Sequence, residues 1–297
     1  MTTLLDLLAF NIVSGVMLGF LYGLVALGLT FVYGVLRFVN SAQGQFLMLG
    51  AYIAYWMFTL YGISPLDSIP VAAVIGGALG FLMFYGFVSR LLNTPPIYTL
   101  IAAYAVSIIL EESTKLAWGP TYRGFIYNIG SVTFLHFTVP LLKVVGAVLS
   151  LAMILGMYVL LYKTSYGRVI RSVVQSDVGA MLCGINTSRV YAAAFSLGIS
   201  LTVVSGVLLT YYVSSGINPY MGQPYTDIAF AISVLGGLGS PEGALVGGLI
   251  YGVVETLSYT VYSLVPGLSA YALSRFTDFV ILVLVLLLRP QGLFGKR

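Results

Sequence analysis

Apolar residues run along this chain in stretches of about twenty, and few charges interrupt them. A helix needs that many to cross a hydrocarbon layer. No charged residue stands between Asp6 and Arg37, and none between Arg37 and Asp67. Reading from charge to charge predicts spans at Leu8 to Leu36, Ser41 to Leu60, Ser68 to Ser89, Pro95 to Leu116 and Pro140 to Tyr162. Further spans follow at Val190 to Val213, Ala244 to Tyr262 and Ala270 to Leu288, with a short piece from Thr226 to Leu238. The expectation is an all-α, polytopic transmembrane bundle of about nine crossings, eight to ten if the short piece is re-entrant. It forms a single domain over residues 1–297. The start of the chain has no basic stretch before its apolar run, so it reads as an uncleaved first span.

Composition supports this reading. The chain is 59% hydrophobic and 7% charged, where soluble domains carry roughly 25% charged residues. So few charges cannot cover a water-facing surface. The net charge of +4 fits basic loops on one membrane face, and no basic cluster with interleaved aromatics suggests nucleic acid. Cys183 and His136 are the single cysteine and histidine. They leave no basis for a disulfide or a metal centre and read as a packing residue and an outer-loop polar group.

Basic residues choose an orientation. With the segment Lys163 to Arg189 inside, Arg37, Arg90, Arg168, Arg171, Arg289, Lys296 and Arg297 fall inside too, and only Lys115, Arg123, Lys143 and Arg275 fall outside. This satisfies the positive-inside rule and puts the N-terminus outside and the C-terminus in the cytoplasm. The outer loops are then 117–139 and 214–225.

Glycines recur four apart at Gly15, Gly19 and Gly23, at Gly76 and Gly80, and at Gly248 and Gly252. That spacing lines one helix face and lets a neighbour approach closely. The segment Ser41 to Tyr52 also echoes Ser240 to Tyr251, aligning Ser41 with Ser240 and Gly44 with Gly243. Duplicated halves are a transporter trait; chance likeness in glycine-rich apolar sequence is the rival.

Four features carry candidate function. The segment 163–189 is the only long polar stretch between spans. Val169, Ile170, Val173, Val174 and Val178 interleave with Arg168, Arg171, Gln175 and Asp177 in the manner of a short amphipathic helix, with Gly184 as its stop. Such a helix can lie on the membrane surface or seat in a partner's groove. The stretch Gly216 to Pro224 is punctuated by proline and glycine and presents Asn218, Tyr220 and Gln223; it reads as an ordinary turn or as the wall of an aqueous vestibule. The break Gly236-Gly237-Leu238-Gly239-Ser240 interrupts apolar sequence, and irregular backbone at membrane depth must be buried in protein or reached by water. Finally, Glu255 and Asp278 lie within spans, where acids are costly and face the bundle interior or water. Arg275 stands one turn before Asp278 and reads as its structural partner, as Lys115 does for Glu111. Glu255 has no evident partner in sequence; it reads as packing against an interhelical hydrogen-bond donor, or as a path-lining or gating group.

No Gly-x-x-x-x-Gly-Lys-[Ser/Thr] phosphate loop occurs, and no catalytic constellation is present. Any ATP hydrolysis therefore belongs to another chain.

Together these stretches resemble the membrane subunits of branched-chain amino acid importers, within the ATP-binding-cassette superfamily. The likeness runs over nearly the whole chain. Tyr22 to Tyr52, with Val32-Tyr33-Gly34 and Asn40-x-Ala42-x-Gly44, is similar to the family's opening region. Gly167-Arg168, Arg171, Asp177, Ala180 and Gly184-Ile185-Asn186 resemble its cytoplasmic loop. Gly216 to Gly222, Leu235 to Ser240 and Arg289-Pro290-x-Gly292 resemble its later signatures. Gln43 stands where the family often has histidine, and Pro241-Glu242 departs from its apolar-proline pair. Importers of urea, amides and other small solutes share the architecture.

The resemblance implies a multi-pass subunit in a prokaryotic cell membrane that binds no cofactor itself. It implies a second related permease, two ATPases holding ATP and magnesium, and an extracytoplasmic binding protein. Gly167, Arg168, Arg171, Ser172, Asp177 and Gly184 then belong to a coupling helix. Asn40, Gln43, Gly44, Asn218, Tyr220, Gln223, Gly236, Gly237, Gly239, Ser240 and Glu255 are the candidates for the translocation path.

Overall fold

The computed structural model describes residues 4–92, 94–134, 137–213, 216–265, 267 and 269–295. His136, Lys296 and Arg297 lie outside the described residues. Seven helical stretches are long and apolar enough to cross a membrane: Leu7–Leu36, Ile69–Leu91, Ile97–Trp118, Leu141–Lys163, Thr187–Leu209, Pro241–Ser263 and Ala270–Leu288. They belong to α1 (Leu4–Leu36), α3 (Ile69–Met83) with α4 (Ser89–Leu91), α5 (Pro96–Trp118), α6 (Leu141–Lys163), α9 (Thr187–Leu209), α11 (Pro241–Ser263) and α12 (Ala270–Leu288). One wide π-turn, Phe84–Val88, joins α3 to α4. The two remaining expected spans are α2 (Gln43–Tyr61) and α10 (Gly222–Gly236). Both are lined with buried residues and sit inside the bundle, so neither needs a lipid-facing surface. Outside the bundle lie the hairpin β1 (Ser131–Phe134) and β2 (Phe137–Pro140) and two short helices, α7 (Ser165–Gln175) and α8 (Asp177–Leu182).

Polar punctuation sets the helix starts. The side chains of Thr164, Ser176, Asn186, Ser240 and Ser269 accept the first free amides of α7, α8, α9, α11 and α12, which would otherwise lack partners. Pro241 occupies the first position of α11, where a missing N–H costs nothing.

Packing rests on backbone approach, since lipid offers no hydrophobic drive between helices. Gly15, Gly19 and Gly23 of α1 lie against Gly252, Gly248 and Ala244 of α11. Gly76 and Gly80 of α3 lie against Ser200 and Ser196 of α9. At both seams a side chain on the glycine would meet the facing backbone. Helices α1 and α9 run antiparallel: the Tyr212 hydroxyl, just past α9, reaches the Met17 carbonyl oxygen, Thr202 faces Gly28, and Gly198 faces Val32.

These seams define an inverted repeat. The first helix of each half packs on the third helix of the other, α1 on α11 and α9 on α3. The second helix of each half packs on the first of the other: α2 meets α9 where Gly50 faces Val203, and α10 meets α1 where Thr30 donates to Ser233 at 2.9 Å. The series α1, α2, α3 thus corresponds to α9, α10, α11 with opposite membrane sense. The echo of Ser41–Tyr52 in Ser240–Tyr251 is therefore not the repeat. It pairs the second helix of one half with the third of the other, and the likeness is the common use of glycine at close crossings.

The described basic residues divide between the two faces. Arg37, Arg90, Lys163, Arg168, Arg171, Arg189 and Arg289 gather at the end that carries α7 and α8. Lys115, Arg123 and Lys143 lie at the other end, with Arg275 just over a turn into α12 from that side.

Candidate functional site

The two inner helices begin deep in the bundle. After α1 the chain turns at Arg37, a non-glycine residue at φ 53°, and climbs back inward. The Gln43 side-chain amide donates to the Val25 carbonyl oxygen at 3.1 Å and to Thr202 Oγ1 at 2.5 Å. Val25 lies about 16 Å from the end of α1 at 1.5 Å per residue, so α2 starts near mid-depth and runs toward the face opposite α7. From the other half, α10 starts at the same level and runs toward α7. The two N-termini touch there. The Gly44 amide donates to Thr226 Oγ1 at 2.9 Å, and a methyl group at Gly44 would overlap the Gly222 carbonyl oxygen.

This junction is sealed. Asn40, Gln43 and Gln45 are fully buried, and Asn40 closes the turn by accepting from the Ala42 amide at 3.1 Å and donating to Gln43 at 3.3 Å. Of the sequence-read path residues, Asn40, Gln43 and Gly44 are joined here as structure. Tyr220 and Gln223 instead face outward from the bundle. Asn218 accepts from the Tyr220 amide at 2.8 Å and starts the single 3-10 turn Pro219–Met221. Gln223, expected in a loop, lies in the first turn of α10 and donates to Asp227 at 3.3 Å.

Beside this face sit groups that spacing alone read only as a helix pair. Gln45 donates to Glu111 at 3.1 Å, Glu111 and Glu112 pair with Lys115 at 2.8 and 2.7 Å, and the Lys115 ammonium lies 4.3 Å from the Tyr220 ring centre. The two helix N-termini present partial positive charge where Glu111 arrives.

The glycine break is filled by protein. Gly236 packs backbone to backbone on Gly243, and Gly237 (φ 102°) packs on Gln291 and Gly295. The free carbonyl oxygens of Leu235 and Gly236 accept from the Leu293 and Phe294 amides, both at 2.9 Å. Ser240 caps α11 through the Gly243 amide at 3.1 Å. The C-terminal tail thereby locks the end of α10. Gly239 alone of the three glycines in positions 236, 237 and 239 is exposed.

At the α7 end, the expected single amphipathic helix is two, broken at Ser176. Helix α7 buries Gly167, Ile170 and Val173. Gly167 is needed because a Cβ there would overlap the Leu160 and Leu161 carbonyl oxygens. Arg171 donates to the Leu161 carbonyl oxygen at the end of α6 and lies 5.4 Å from the Tyr162 ring centre, as a cation suits a helix C-terminus. Ser172 bonds back to the Val169 carbonyl oxygen, and Arg168 donates to Ser165 at 3.0 Å. Asp177 accepts from the Tyr191 hydroxyl of α9 at 2.5 Å. Gly184 (φ 80°) ends α8. The pair is thus tied to α6 by Arg171 and to α9 by Asp177. It leaves Val174, Val178, Met181 and Leu182 exposed, Leu182 at 84%.

The intramembrane acids correct the sequence reading. Arg275 pairs not with Asp278 but with Glu255 across the α11–α12 seam, at 3.1 Å. It also donates to the Tyr251 hydroxyl at 3.4 Å. Asp278 is buried, and neither of its carboxylate oxygens has a partner among the described residues. Spacing along one helix pointed to the wrong acid because the guanidinium reaches sideways to the next helix.

The description "Branched-chain amino acid transport system / permease component" fits a family profile matching residues 11–288. The chain belongs to that family. Its relatives include the high-affinity branched-chain amino acid transport system permease protein LivH of Escherichia coli strain K12. The two are 32% identical over 95% of this chain and 94% of that protein. The corresponding protein BraD of Pseudomonas aeruginosa is 29% identical over 96% and 95%. A probable LivH of Methanocaldococcus jannaschii is 29% identical over 92% and 88%. No solved structure matches. In this permease the α2–α10 junction and the glycine break are both places where protein packs directly on protein.

Proposed function

We propose that this permease imports branched-chain amino acids as one of two membrane subunits, with α7 and α8 docking on separate ATPase chains in the cytoplasm. The observation that carries the reading is the anchoring of α7 and α8. They are surface helices held to two spans by Arg171 and Asp177, and they present exposed Val174, Val178, Met181 and Leu182. An apolar patch on helices so tethered suits a partner's groove. Push on it, and α6 and α9 move as well. ATP binding on the partner chains would then bias the bundle between outward- and inward-open states.

The excess of basic residues at the α7 end supports placing that end in the cytoplasm and the N-terminus outside. The outward-facing residues Tyr220, Gln223, Asp227 and the Glu111–Lys115 pair support a path that runs between this chain and a second, related permease. The exposed apolar faces of α5 and α12 suit lipid and that partner. Substrate reaches the path from an extracytoplasmic binding protein. The names of the relatives support branched-chain amino acids over urea or amides.

The test is uptake of radiolabelled leucine by proteoliposomes holding the permease pair, the ATPases and the binding protein. Replacing Arg171 and Asp177 together with alanine is expected to abolish ATP-driven uptake. Normal uptake by that variant would sink the docking assignment. One observation favours a second reading: Asp278 is a buried acid within a span that forms no salt bridge among the described residues, as in ion-coupled carriers. Transport by the lone chain under a proton gradient without ATP would establish that reading instead.

A further inference from the structure

On the α7 side of the membrane an apolar groove of about 290 Å³ opens between α6 and the first turns of α11. It is separate from the helix junction and from the Glu255–Arg275 pair. Leu155 and Tyr158 of α6, Leu245 of α11 and Phe294 of the tail contribute its walls. Tyr158 stands five residues before the end of α6, about 7.5 Å at 1.5 Å per residue, so the groove lies at the depth of one lipid leaflet. Leu155, Tyr158 and Tyr162 share one face of α6 and are exposed at 51, 41 and 40%. Tyrosines at that level suit the boundary between hydrocarbon and headgroups.

One charged residue lines the groove, Glu242, from the Pro241–Glu242 pair that the sequence singles out. Its carboxylate accepts from the Ser240 hydroxyl at 3.3 Å and from the Tyr162 hydroxyl, and it forms no salt bridge among the described residues. An acid set among apolar side chains beside lipid is costly without a counter-charge. A cation lies next to the same tyrosine: the Arg171 guanidinium is 5.4 Å from the Tyr162 ring centre. It donates to the Leu161 carbonyl oxygen and forms no salt bridge among the described residues, which leaves most of its five N–H donors free. The Tyr158 and Tyr162 rings are 4.6 Å apart and carry this rim into the groove. An apolar wall, an unneutralised carboxylate and a guanidinium with spare donors therefore meet at one place.

We propose that the groove holds one phospholipid with a primary-amine headgroup, phosphatidylethanolamine. An acyl chain lies on Leu155, Leu245 and Phe294. Arg171 donates to the phosphate, and Glu242 accepts from the ammonium. Two opposite charges beside one ring match a zwitterion. An anionic headgroup would satisfy Arg171 but bring negative charge onto Glu242. A quaternary ammonium carries no N–H for Glu242 to accept.

The test is native mass spectrometry of the full, delipidated chain in detergent. It is titrated in turn with phosphatidylethanolamine, phosphatidylcholine and phosphatidylglycerol carrying identical acyl chains. The expected result is one tight phosphatidylethanolamine, with phosphatidylcholine about tenfold weaker, the size of one hydrogen bond between charged groups. Glu242→Gln should bring phosphatidylethanolamine down to the level of phosphatidylcholine and leave phosphatidylcholine unchanged, which shows that the variant is folded. Leu155→Gln should weaken all three lipids about threefold, as the loss of apolar contact on the chain, and keep their order. Equal binding of the two zwitterions by the wild type, or a preference that survives Glu242→Gln, overturns the proposal. Tighter binding of phosphatidylglycerol overturns it in favour of an anionic lipid on Arg171. No bound lipid of any kind overturns it in favour of a protein partner. The assay contains no ATPase and no substrate, so its failure is distinct from failure of the importer reading.

Discussion

The Arg275 guanidinium meets the Glu255 carboxylate at 3.1 Å between α11 and α12, with 19% and 13% of their side chains exposed. Taking one partner from such a pair leaves the other charged and nearly buried. Glu255→Gln or Arg275→Met is therefore expected to cost about 2–4 kcal/mol, slightly less than for a fully buried pair. Asp278→Asn removes a carboxyl with no partner among the described residues and should leave stability unchanged or raised. Melting temperatures of the three variants in nanodiscs check the order. A larger loss for Asp278→Asn than for Glu255→Gln would contradict the pairing.

Neighbouring glycines in α3 should respond oppositely. A Cβ at Gly76 would lie 2.9 Å from the Ser200 Cα, whereas one at Gly77 meets nothing within 4 Å. Gly76→Ala is expected to destabilise by about 1–3 kcal/mol through overpacking. Gly77→Ala should be neutral or gain up to about 1 kcal/mol from helix propensity. Thermal denaturation of the two single variants decides it.

The junction of α2 and α10 depends on one hydroxyl. Thr226 Oγ1 accepts from the Gly44 amide at 2.9 Å. Thr226→Val keeps the shape and leaves that buried amide without its acceptor, at a cost of about 1–3 kcal/mol. Faster hydrogen exchange at Gly44 and its neighbours, with exchange in α12 unchanged, is the expected signature.

The tether between Asp177 and Tyr191 should transmit force rather than bind the ATPase. Tyr191→Phe removes the 2.5 Å bond from α9 to α8. Uptake per ATP hydrolysed is expected to fall about tenfold or more, the size of one hydrogen bond to a charged group, while ATPase co-purification stays intact. Loss of co-purification would make the residue a docking contact instead.

Much of the bundle was legible because membrane physics writes it into composition. Charge-free runs fixed the spans within a few residues, and Ala270–Leu288 was placed as found. Glycine spacing pointed to close packing but could not name partners; which helix faces Gly76 depends on three-dimensional order. The apolar pattern starts α10 at Thr226, four residues late, because Gly222, Gln223 and Pro224 have the composition of a loop yet form a helix first turn. Arg275 pairs with Glu255 rather than Asp278 for a related reason: sequence spacing reports neighbours on one helix and not those across a seam.

The seam between α1 and α11 sets a timetable for making the protein. Gly19 cannot meet Gly248 until nearly the whole chain has left the ribosome. At about 5–20 residues per second, the first helix waits on the order of tens of seconds for its main partner. During that interval it stands in lipid alone, and residues 7–36 carry no charge that would make this costly. Its long uncharged surface, later hidden in the centre of the molecule, is what allows the newborn chain to wait.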